Sequence, residues 1–535
     1  MYNADCVLNS VDTQSIFTKA EELVCEVTGL RLALKDRDER IAFHEAENER
    51  LREMLVKLQK HAFGTRSERW ETEEQGKLVF NEAEVEAAKP EAGGGADGEE
   101  TEQKLVTVKE HKKKPRGKRK PLPEHLPREV VVVELPESQR TASDGTPLTV
   151  IGKEVSEKLE YEPAKMKVIE YHRLRYGAAA GDHEKTAPPV PSIIPKGIAT
   201  PSLLAAIVTS KYADGLPLYR QEEIFSRLRI ELSRTSMARW VVQAAAAAQP
   251  LWNALEERLL ESTYLSCDET HVQVLKEEGR KAEAKSWMWV RSNPTAKEQI
   301  VLFDYDPHRS GEVAKRLLGG YSGWLQVDGY GAYNAVESQS GLIRIGCNMH
   351  GRRGFRDAAD GSSKSKGLAQ VALKYYRSLY DIEEEAREKA LTPETRHELR
   401  QERAVPIWAE FKAWAEGAAP KVPKKSSIGQ ALHYFLGEYD YLVGYLKDGQ
   451  LEIDNGHVER MIRKFAIGRN NWIFSDTPAG ANASALFYSL VVTAKVNGVN
   501  PFEALKIIFT ELPLARTVDD YERLADLLLR RKPPP

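Results

Sequence analysis

The distribution of apolar and polar residues divides the 535-residue chain into helical and strand-forming regions. Between residues 15 and 60 the chain is rich in charge and has no proline, and leucine and isoleucine recur at heptad spacing together with Asn48. A heptad row with one asparagine at a core position is typical of a two-stranded coiled coil. We therefore predict a parallel dimeric coiled coil over residues 15–69. A single amphipathic helix on a globular body is the alternative.

The next regions are a linker, a small module and a helical region. Residues 70–128 are acidic and then basic, which predicts a linker. Short alternating runs in residues 129–192 predict a small β-rich module. Residues 195–262 are helical in pattern, with a break at 214–217 and a cap-like Ser233. Two short helices joined by a tight turn are compatible with a helix-turn-helix, and a plain helical bundle is the alternative.

The pattern changes to strands from residue 263 onward. Three apolar strand-like runs precede a helix predicted from Gly311 to Leu318, and further strands end near Asp328 and Cys347. This order is that of a ribonuclease H-like domain. We predict an α/β multidomain protein whose catalytic domain spans 263–490. A helical insertion at about 360–445 and a helical C-terminal segment at 491–535 complete the organisation.

Three acidic residues in this region are candidate catalytic residues. Asp268 and Asp328 each end an apolar run, and Glu459 leads into a basic helix. Two carboxylates at strand ends and a third on a later helix can converge on two Mg²⁺ or Mn²⁺ ions, which clamp the attacking and leaving oxygens of a phosphodiester. The sequence therefore predicts a polynucleotidyl transferase. Nearby carboxylates offer substitutes, namely Glu269, Asp304 and Asp306, and the main rival to Glu459 is Asp454.

Basic and amide side chains are candidate DNA contacts, because they can bind phosphates without reading sequence. In the linker they are Lys112, Lys113, Lys114, Arg116, Lys118, Arg119 and Lys120, and in the helical region Arg234 and Arg239. Around the catalytic carboxylates they are His350, Arg352, Arg353, Arg463, Lys464, Arg469, Asn470 and Asn471. The linker run is alternatively a solvated tail masked by its acidic neighbour, and Arg463 is alternatively an ion-pair partner of Glu459. Trp472 is interpreted as a core residue.

Cysteine usage and hydropathy indicate the cellular compartment of the protein. The four cysteines have no paired spacing, which fits a reducing cytoplasm, and no apolar stretch is long enough for a membrane span. We expect a soluble cytoplasmic protein. Cys347 and His350 have Cys-x-x-His spacing, but no second pair lies nearby, so a closed zinc site is not favoured. Cys347 is interpreted as a buried strand residue.

Six motifs in order resemble the transposases of the insertion-sequence-66 family, which are bacterial enzymes with a DDE catalytic triad. The motifs are HAFGTRSE at 61–68, LPEHLPR at 122–128, KYADGLPLYRQE at 211–222, DGYGAYN at 328–334, CNMHGRRGF at 347–355 and IGRNNWIF at 467–474. The resemblance implies that Asp268, Asp328 and Glu459 form the metal-binding triad, and that the insertion belongs to the catalytic domain. It also implies a nucleoid-associated enzyme that acts on the terminal inverted repeats of its own element, beside two small accessory proteins.

The sequence departs from the family at the zinc-binding module. Members usually carry two Cys-x-x-Cys pairs there, whereas this chain has Thr141 and Asp144 for the first pair, and Ala178 and Gly181 for the second. Structural zinc is bound mainly by thiolate and imidazole groups. We therefore predict that this module holds no zinc.

Three other functions are alternatives to a transposase. A catalytically inactive relic that binds element ends would explain the missing cysteines but leaves an intact triad without a role. A coiled-coil scaffold is supported by residues 15–60 alone. A glycoside hydrolase would also use paired carboxylates, although the basic residues around Glu459 suit a polyanion better than a neutral sugar.

Overall fold

The computed structural model describes residues 166–177, 184–195, 197–360 and 367–530, together with scattered helical positions between residues 19 and 37. Apart from those positions, the predicted coiled coil lies outside the described residues, as do the predicted linker and residues 129–165 of the predicted β-rich module. No helix among the described residues is long and apolar enough to cross a membrane.

A two-stranded sheet is described in the unit that spans residues 67–189. Its strands are β1, Arg175–Gly177, and β2, Glu184–Thr186, which pair antiparallel. The Nε of Arg173 donates a hydrogen bond to the carbonyl of Ala187 at 2.9 Å, next to this pairing.

The other unit is built on a five-stranded mixed sheet. Its strands are β3, Tyr264–Gln273; β4, Lys285–Ser292; β5, Val301–Asp306; β6, Gly323–Val327; and β7, Leu342–Gly346. Their order across the sheet is β5-β4-β3-β6-β7. The strand β4 is antiparallel to both neighbours, whereas β3, β6 and β7 are parallel. The predicted α/β class is confirmed.

Helices make up most of the rest of this unit. In chain order they are α1, Pro201–Tyr212; α2, Leu218–Arg227; α3, Arg234–Leu260; α4, Gly311–Leu318; α5, Asn334–Glu337; α6, Asn348–Asp360; α7, Leu368–Glu388; α8, Pro393–Leu399; α9, Val405–Ala418; α10, Ser427–Gly437; α11, Tyr439–Leu442; α12, Gly456–Trp472; α13, Pro478–Val496; α14, Pro501–Glu511; and α15, Val518–Leu529. The helix α4 has the bounds that the sequence predicted.

The buried helix α13 covers the β5 edge of the sheet. Two of its hydroxyls accept backbone N–H groups of β5: Ser489 accepts from Phe303 at 2.8 Å and Thr493 from Val301 at 3.0 Å. The indole N–H of Trp252 on α3 also donates to Ser489, at 3.1 Å. An uncovered edge strand presents unpaired backbone groups, and these hydroxyls provide hydrogen-bond partners for those of β5.

The helices between β7 and α12 have an apolar core of their own. It is rich in aromatic residues, among them Tyr376, Trp408, Phe411 and Phe435, and it continues to the sheet through Tyr264 and Ile345. Arg400 is fully buried there and binds Glu383 as well as the carbonyls of Tyr445, Asp448 and Leu451. This guanidinium therefore joins the inserted helices to the segment that leads into α12.

Candidate active site

Asp268 lies within a strand, not at its end as its apolar run predicted. It is the fifth residue of β3, which continues to Gln273. The neighbouring strand β6 pairs with β3 only as far as Ser266, whereas β4 pairs with β3 from Ser266 to Gln273. Asp268 therefore stands where the parallel part of the sheet ends, an edge at which open α/β sheets commonly bind ligands. Its Oδ1 accepts the N–H of Glu269 at 2.7 Å.

Asp328 follows β6 directly and begins a tight turn. Its Oδ1 accepts the N–H of Tyr330 at 3.0 Å, which orients the carboxylate by a local hydrogen bond. The residue between them is a glycine, and a Cβ at this position would lie 2.7 Å from the ring of Tyr434, which would have to shift. The hydroxyl of Tyr434 accepts the Gly329 N–H at 3.2 Å. The Asp-Gly-Tyr sequence thus favours this turn.

Glu459 lies in the first turn of α12, where a helix N-terminus favours a negative charge. Its side chain is 11% exposed, and neither carboxylate oxygen receives a hydrogen bond from a described residue. The Arg353 guanidinium lies 3.5 Å from one of these oxygens, and the Nδ1 of His350 lies 3.8 Å from the other.

Asn455 anchors the start of α12 between two strands. This buried residue donates its side-chain amide to the carbonyl of Cys267 on β3 at 2.9 Å. Its backbone N–H donates to the Sγ of Cys347, just after β7, at 3.2 Å. The first turn of α12 is thereby held against the same sheet edge that bears Asp268 and Asp328.

The three carboxylates influence one another electrostatically. Burial raises the pKa of Asp268 well above its usual range, and the charges of Glu269, Glu459 and Asp328 raise it further. Burial also raises the pKa of Glu459, to about 7; Asp454 and Asp328 add to this effect, while Arg353 and Arg463 oppose it. Asp268, Asp328 and Glu459 therefore share one partly desolvated region in which their negative charges repel.

The residues present fit a divalent cation. Carboxylate oxygens are the ligands that Mg²⁺ and Mn²⁺ prefer. A cation would relieve the repulsion that raises the pKa of Asp268, and it would satisfy the two Glu459 oxygens that receive no hydrogen bond from described residues. Asp268, Asp328 and Glu459 would be the residues that hold it.

The rival carboxylates have other partners. Glu269 pairs with Arg309 and accepts from the Tyr333 hydroxyl at 2.6 Å, and Asp304 pairs with the buried Arg291 at 3.0 Å. Asp306 binds Arg316 at 2.9 Å. Asp454 accepts from the Tyr380 hydroxyl at 2.7 Å and from the Gly456 N–H at 2.8 Å. These four carboxylates thus accept hydrogen bonds or form close ion pairs, whereas the Glu459 oxygens accept no hydrogen bond from a described residue.

Several predicted DNA contacts lie near Glu459. His350, Arg352 and Arg353 are in the first turns of α6, with Arg352 exposed and 5.9 Å above the Tyr380 ring. Arg463 lies on α12 and its charge lowers the pKa of Glu459. Lys464 is half-buried, and burial, followed by the charge of Lys495, lowers its pKa.

The remaining predicted contacts divide into exposed and structural residues. Arg234, Arg239 and Asn470 are exposed. Arg469 is buried and donates to Thr270 Oγ1 at 3.1 Å and to the His271 carbonyl, and Asn471 donates to the Gly215 carbonyl at 2.7 Å. These bonds tie α12 to β3 and to the α1–α2 turn, a role that does not favour phosphate binding by Arg469 and Asn471. Lys112, Lys113, Lys114, Arg116, Lys118, Arg119 and Lys120 lie outside the described residues.

Two arginines at the site were missed by the sequence analysis. Arg309 stacks 3.6 Å over the Tyr330 ring and its charge interacts with that of Asp328. Arg344 is buried and donates to the Asp328 carbonyl at 3.1 Å and to Glu438 at 2.9 Å. Neither residue lies in a distinctive local pattern, because the turn after Asp328 and the distant α10–α11 junction create their environments.

Family comparisons define the class of protein as a transposase. Residues 196–483 match the model described as "Transposase IS66 family", which covers more than half of the chain. Residues 489–525 match "IS66 C-terminal element", and residues 50–131 match "Transposase C of IS166 homeodomain". The chain belongs to the IS66 family of transposases, so the family resemblance inferred from the motifs is confirmed.

Curated relatives match over most of the chain. The "Uncharacterized protein y4qI" of Sinorhizobium fredii (strain NBRC 101917 / NGR234) is 33% identical over 513 residues, which cover 93% of this chain and 91% of the relative. The "Uncharacterized protein y4jD" of the same strain is 32% identical over 393 residues, or 71% of this chain and 76% of the relative. The likeness therefore extends across the domains, beyond the catalytic motifs.

The prediction that the small module holds no zinc is wrong. Residues 142–177 match the model described as "zinc-finger binding domain of transposase IS66". The prediction relied on the absence of cysteine alone, whereas imidazole and carboxylate groups are also zinc ligands. His172 and Glu170 in this segment lie 3.0 Å apart and are exposed. Counting thiolates was thus an insufficient test of a zinc module.

Proposed function

We propose that the protein is a DNA transposase that cleaves and transfers DNA strands at the terminal inverted repeats of an insertion sequence, using Asp268, Asp328 and Glu459. The observation that carries this proposal is that carboxylates from β3, the end of β6 and α12 lie near enough at one edge of the sheet for their charges to interact, in a member of a transposase family. Asp268 and Asp328 are 60 residues apart in the sequence, and Asp328 and Glu459 are 131 residues apart.

The strand order supports a ribonuclease H-like catalytic domain over residues 263–490. Three antiparallel strands, then a helix and two parallel strands, place the first carboxylate on the central strand and the second after the fourth strand. The helices of the insertion at about 360–445 belong to this domain in the proposal. The proposed organisation otherwise follows the predicted boundaries, with a coiled coil at 15–69, a linker at 70–128, a small module at 129–192, a helical DNA-binding region at 195–262 and a C-terminal segment at 491–535.

Each group at the site has a distinct part in the proposed reaction. Divalent cations, Mg²⁺ or Mn²⁺, would activate water and neutralise charge on the phosphodiester when bound by the three carboxylates. Water displaces the 3′-oxygen at the element end and frees a 3′-hydroxyl, which then attacks a phosphodiester of target DNA at the same site. Arg353 and Arg309, beside Glu459 and Asp328, are placed to stabilise negative charge on the phosphoryl oxygens. Asn455 positions Glu459 by holding α12.

The proposed partners are double-stranded DNA at the element ends and target DNA. Exposed Arg234, Arg239 and Arg352 offer backbone contacts on the described surface, and the basic run at 112–120 offers seven more positive charges. We propose self-association as a dimer or higher oligomer through the N-terminal coiled coil, and action beside accessory proteins of the same element in the bacterial cytoplasm.

The test is strand cleavage and strand transfer on labelled DNA that carries the element's terminal repeat, with Mg²⁺ or Mn²⁺. Asp328→Asn removes a charge from the triad and is expected to lower cleavage by at least about 10³-fold, since several kcal/mol of charge stabilisation are lost. Asp357→Asn, on the exposed face of α6, is the matched control and should cleave normally. Cleavage that survives Asp328→Asn would place the active site elsewhere. End binding without any metal-dependent cleavage would favour an inactive relic.

A further inference from the structure

A thiol, an imidazole and a carboxylate converge beside the catalytic carboxylates. The Sγ of Cys347, a ring nitrogen of His350 and a carboxylate oxygen of Glu459 all lie within 4.8 Å of one another. Cys347 is fully buried, and the side chains of His350 and Glu459 are 21% and 11% exposed. The His350 Nδ1 and both Glu459 oxygens are buried and receive no hydrogen bond from a described residue.

The spacing of these atoms suits a tetrahedral metal. Zinc binds sulfur at about 2.3 Å and nitrogen or oxygen at about 2.0–2.2 Å, so its ligand atoms lie roughly 3.3–3.7 Å apart. The His350 Nδ1 and Glu459 Oε1 are already 3.8 Å apart. Small side-chain shifts would therefore bring all three ligands to bonding distance. With three protein ligands, a fourth position would stay open, which distinguishes the cluster from a closed structural zinc site.

Local geometry prepares Cys347 and His350 for this arrangement. Cys347 follows β7 directly and His350 is three residues later in the first turn of α6, so both side chains can reach the same point. The backbone N–H of Asn455 donates to the Cys347 Sγ at 3.2 Å, and such a hydrogen bond stabilises a metal-bound thiolate.

We propose that Cys347, His350 and Glu459 form a binding site for a thiophilic divalent cation such as Zn²⁺, overlapping the catalytic site at Glu459. On binding, the Cys347 thiol releases its proton to solvent, and the sulfur, the imidazole nitrogen and the carboxylate each donate one electron pair to the metal. Because the site takes Glu459 away from the triad, its occupation inhibits strand cleavage. That consequence rests on the proposed function, whereas metal binding itself does not.

Binding is tested with Co²⁺ as the probe on the full-length protein, because a thiolate–Co²⁺ bond gives a charge-transfer absorption band. The only other cysteines are Cys6, Cys25 and Cys267, and residues 142–177 contain none, so the zinc-finger segment cannot produce this band. Cys347→Ser is expected to abolish the band, and His350→Gln to weaken Co²⁺ binding at least tenfold. Cys267→Ser, at the other described buried thiol, is the matched control and should retain the band.

Three outcomes would overturn the site: no band in the folded wild-type protein, a band that survives Cys347→Ser, or Co²⁺ affinity unchanged in His350→Gln. His350→Gln keeps the test decisive if Cys347→Ser fails to fold, because His350 is partly exposed. The overlap is tested separately by titrating Zn²⁺ into Mg²⁺-dependent cleavage, where Cys347→Ser should raise the half-inhibitory concentration at least tenfold. A Co²⁺ band without Zn²⁺ inhibition would overturn the overlap. A Co²⁺ band without any cleavage in Mg²⁺ would contradict the proposed function and leave the metal site standing.

Discussion

At the scale of single residues, Lys211 shows how packing controls a charge. Its Nζ lies 3.7 Å from the centre of the Trp472 ring, and it forms no ion pair with a described residue. Burial lowers its pKa from the usual 10.5 to about 7. Lys211 therefore carries little charge in the folded protein at alkaline pH, where the unfolded chain still binds the proton.

This pKa difference predicts a pH-dependent stability. Between pH 7 and about 10.5 the unfolded chain binds more protons at this residue than the folded one, so its contribution to the free energy of unfolding rises with pH. Lys211→Met should remove that rise. The free energy of unfolding of the variant relative to wild type should therefore change by about 2–4 kcal/mol between pH 7 and about 10.5. Urea unfolding at several pH values measures this difference. Lys297→Met, at an exposed position, is the control for the loss of a lysine side chain. A difference for Lys211→Met that stays constant with pH would show that its amine stays protonated.

At the scale of secondary-structure elements, the position of α12 depends on Asn455. Asn455→Ala would leave the buried Cys267 carbonyl without its 2.9 Å hydrogen bond, which costs about 1–3 kcal/mol. Because α12 carries Glu459, we expect strand cleavage to fall at least tenfold while the protein remains folded. The measurements are thermal unfolding and cleavage at saturating Mg²⁺.

Asn500→Ala is the matched control for that variant. Asn500 caps α14 through hydrogen bonds from the N–H groups of Phe502 and Glu503, far in sequence from the carboxylates. Its loss should lower stability by about 1 kcal/mol without changing cleavage. Equal loss of cleavage in the two variants would mean that global stability, not the placement of α12, explains the effect.

The inserted helices should depend on the buried Arg400. Arg400→Met leaves the Glu383 carboxylate with one remaining arginine partner, Arg396, and removes the guanidinium hydrogen bonds to three carbonyls, so we expect the free energy of unfolding to fall by about 3–5 kcal/mol. Urea unfolding measures the loss. Arg403→Met breaks an exposed ion pair with Glu385 and should change stability much less, because solvent screens exposed charges. A similar loss of free energy of unfolding in the two variants would contradict a structural role for the Arg400 network.

At the scale of the whole molecule, charge distribution matters more than the net charge of -3. The run at 112–120 contains seven Lys and Arg residues, and each phosphate that they neutralise adds about 0.9 to the slope of log affinity against log salt. Deleting 112–120 should reduce that slope by up to about 6 in fluorescence-anisotropy titrations with duplex DNA. Deleting residues 98–102, which include three glutamates, should not reduce the slope. An unchanged slope after the first deletion would identify the run as a solvated tail.

The sequence by itself determined the family, the α/β class and several local structures. The Asp-Gly-Tyr turn is one example, because the Asp328 carboxylate accepts the N–H of Tyr330 two residues later. The bounds of α4 are another, since its apolar residues recur at helical spacing between Ser310 and Gly319. These features depend on backbone conformation and on neighbours in sequence, which a single chain displays directly.

Tertiary structure alone decided where Asp268 lies in its strand and which carboxylates have other partners. Asp268 stands at the sheet edge because β6 stops pairing at Ser266, and Asp304 is engaged because Arg291 on the neighbouring strand β4 forms an ion pair with it. Arg469 matched a basic patch in sequence but is buried against β3. Each outcome depends on strand register and on contacts between residues far apart in the chain, and local periodicity does not encode which distant groups meet. For the same reason, the cluster of Cys347, His350 and Glu459 becomes visible only in the folded protein.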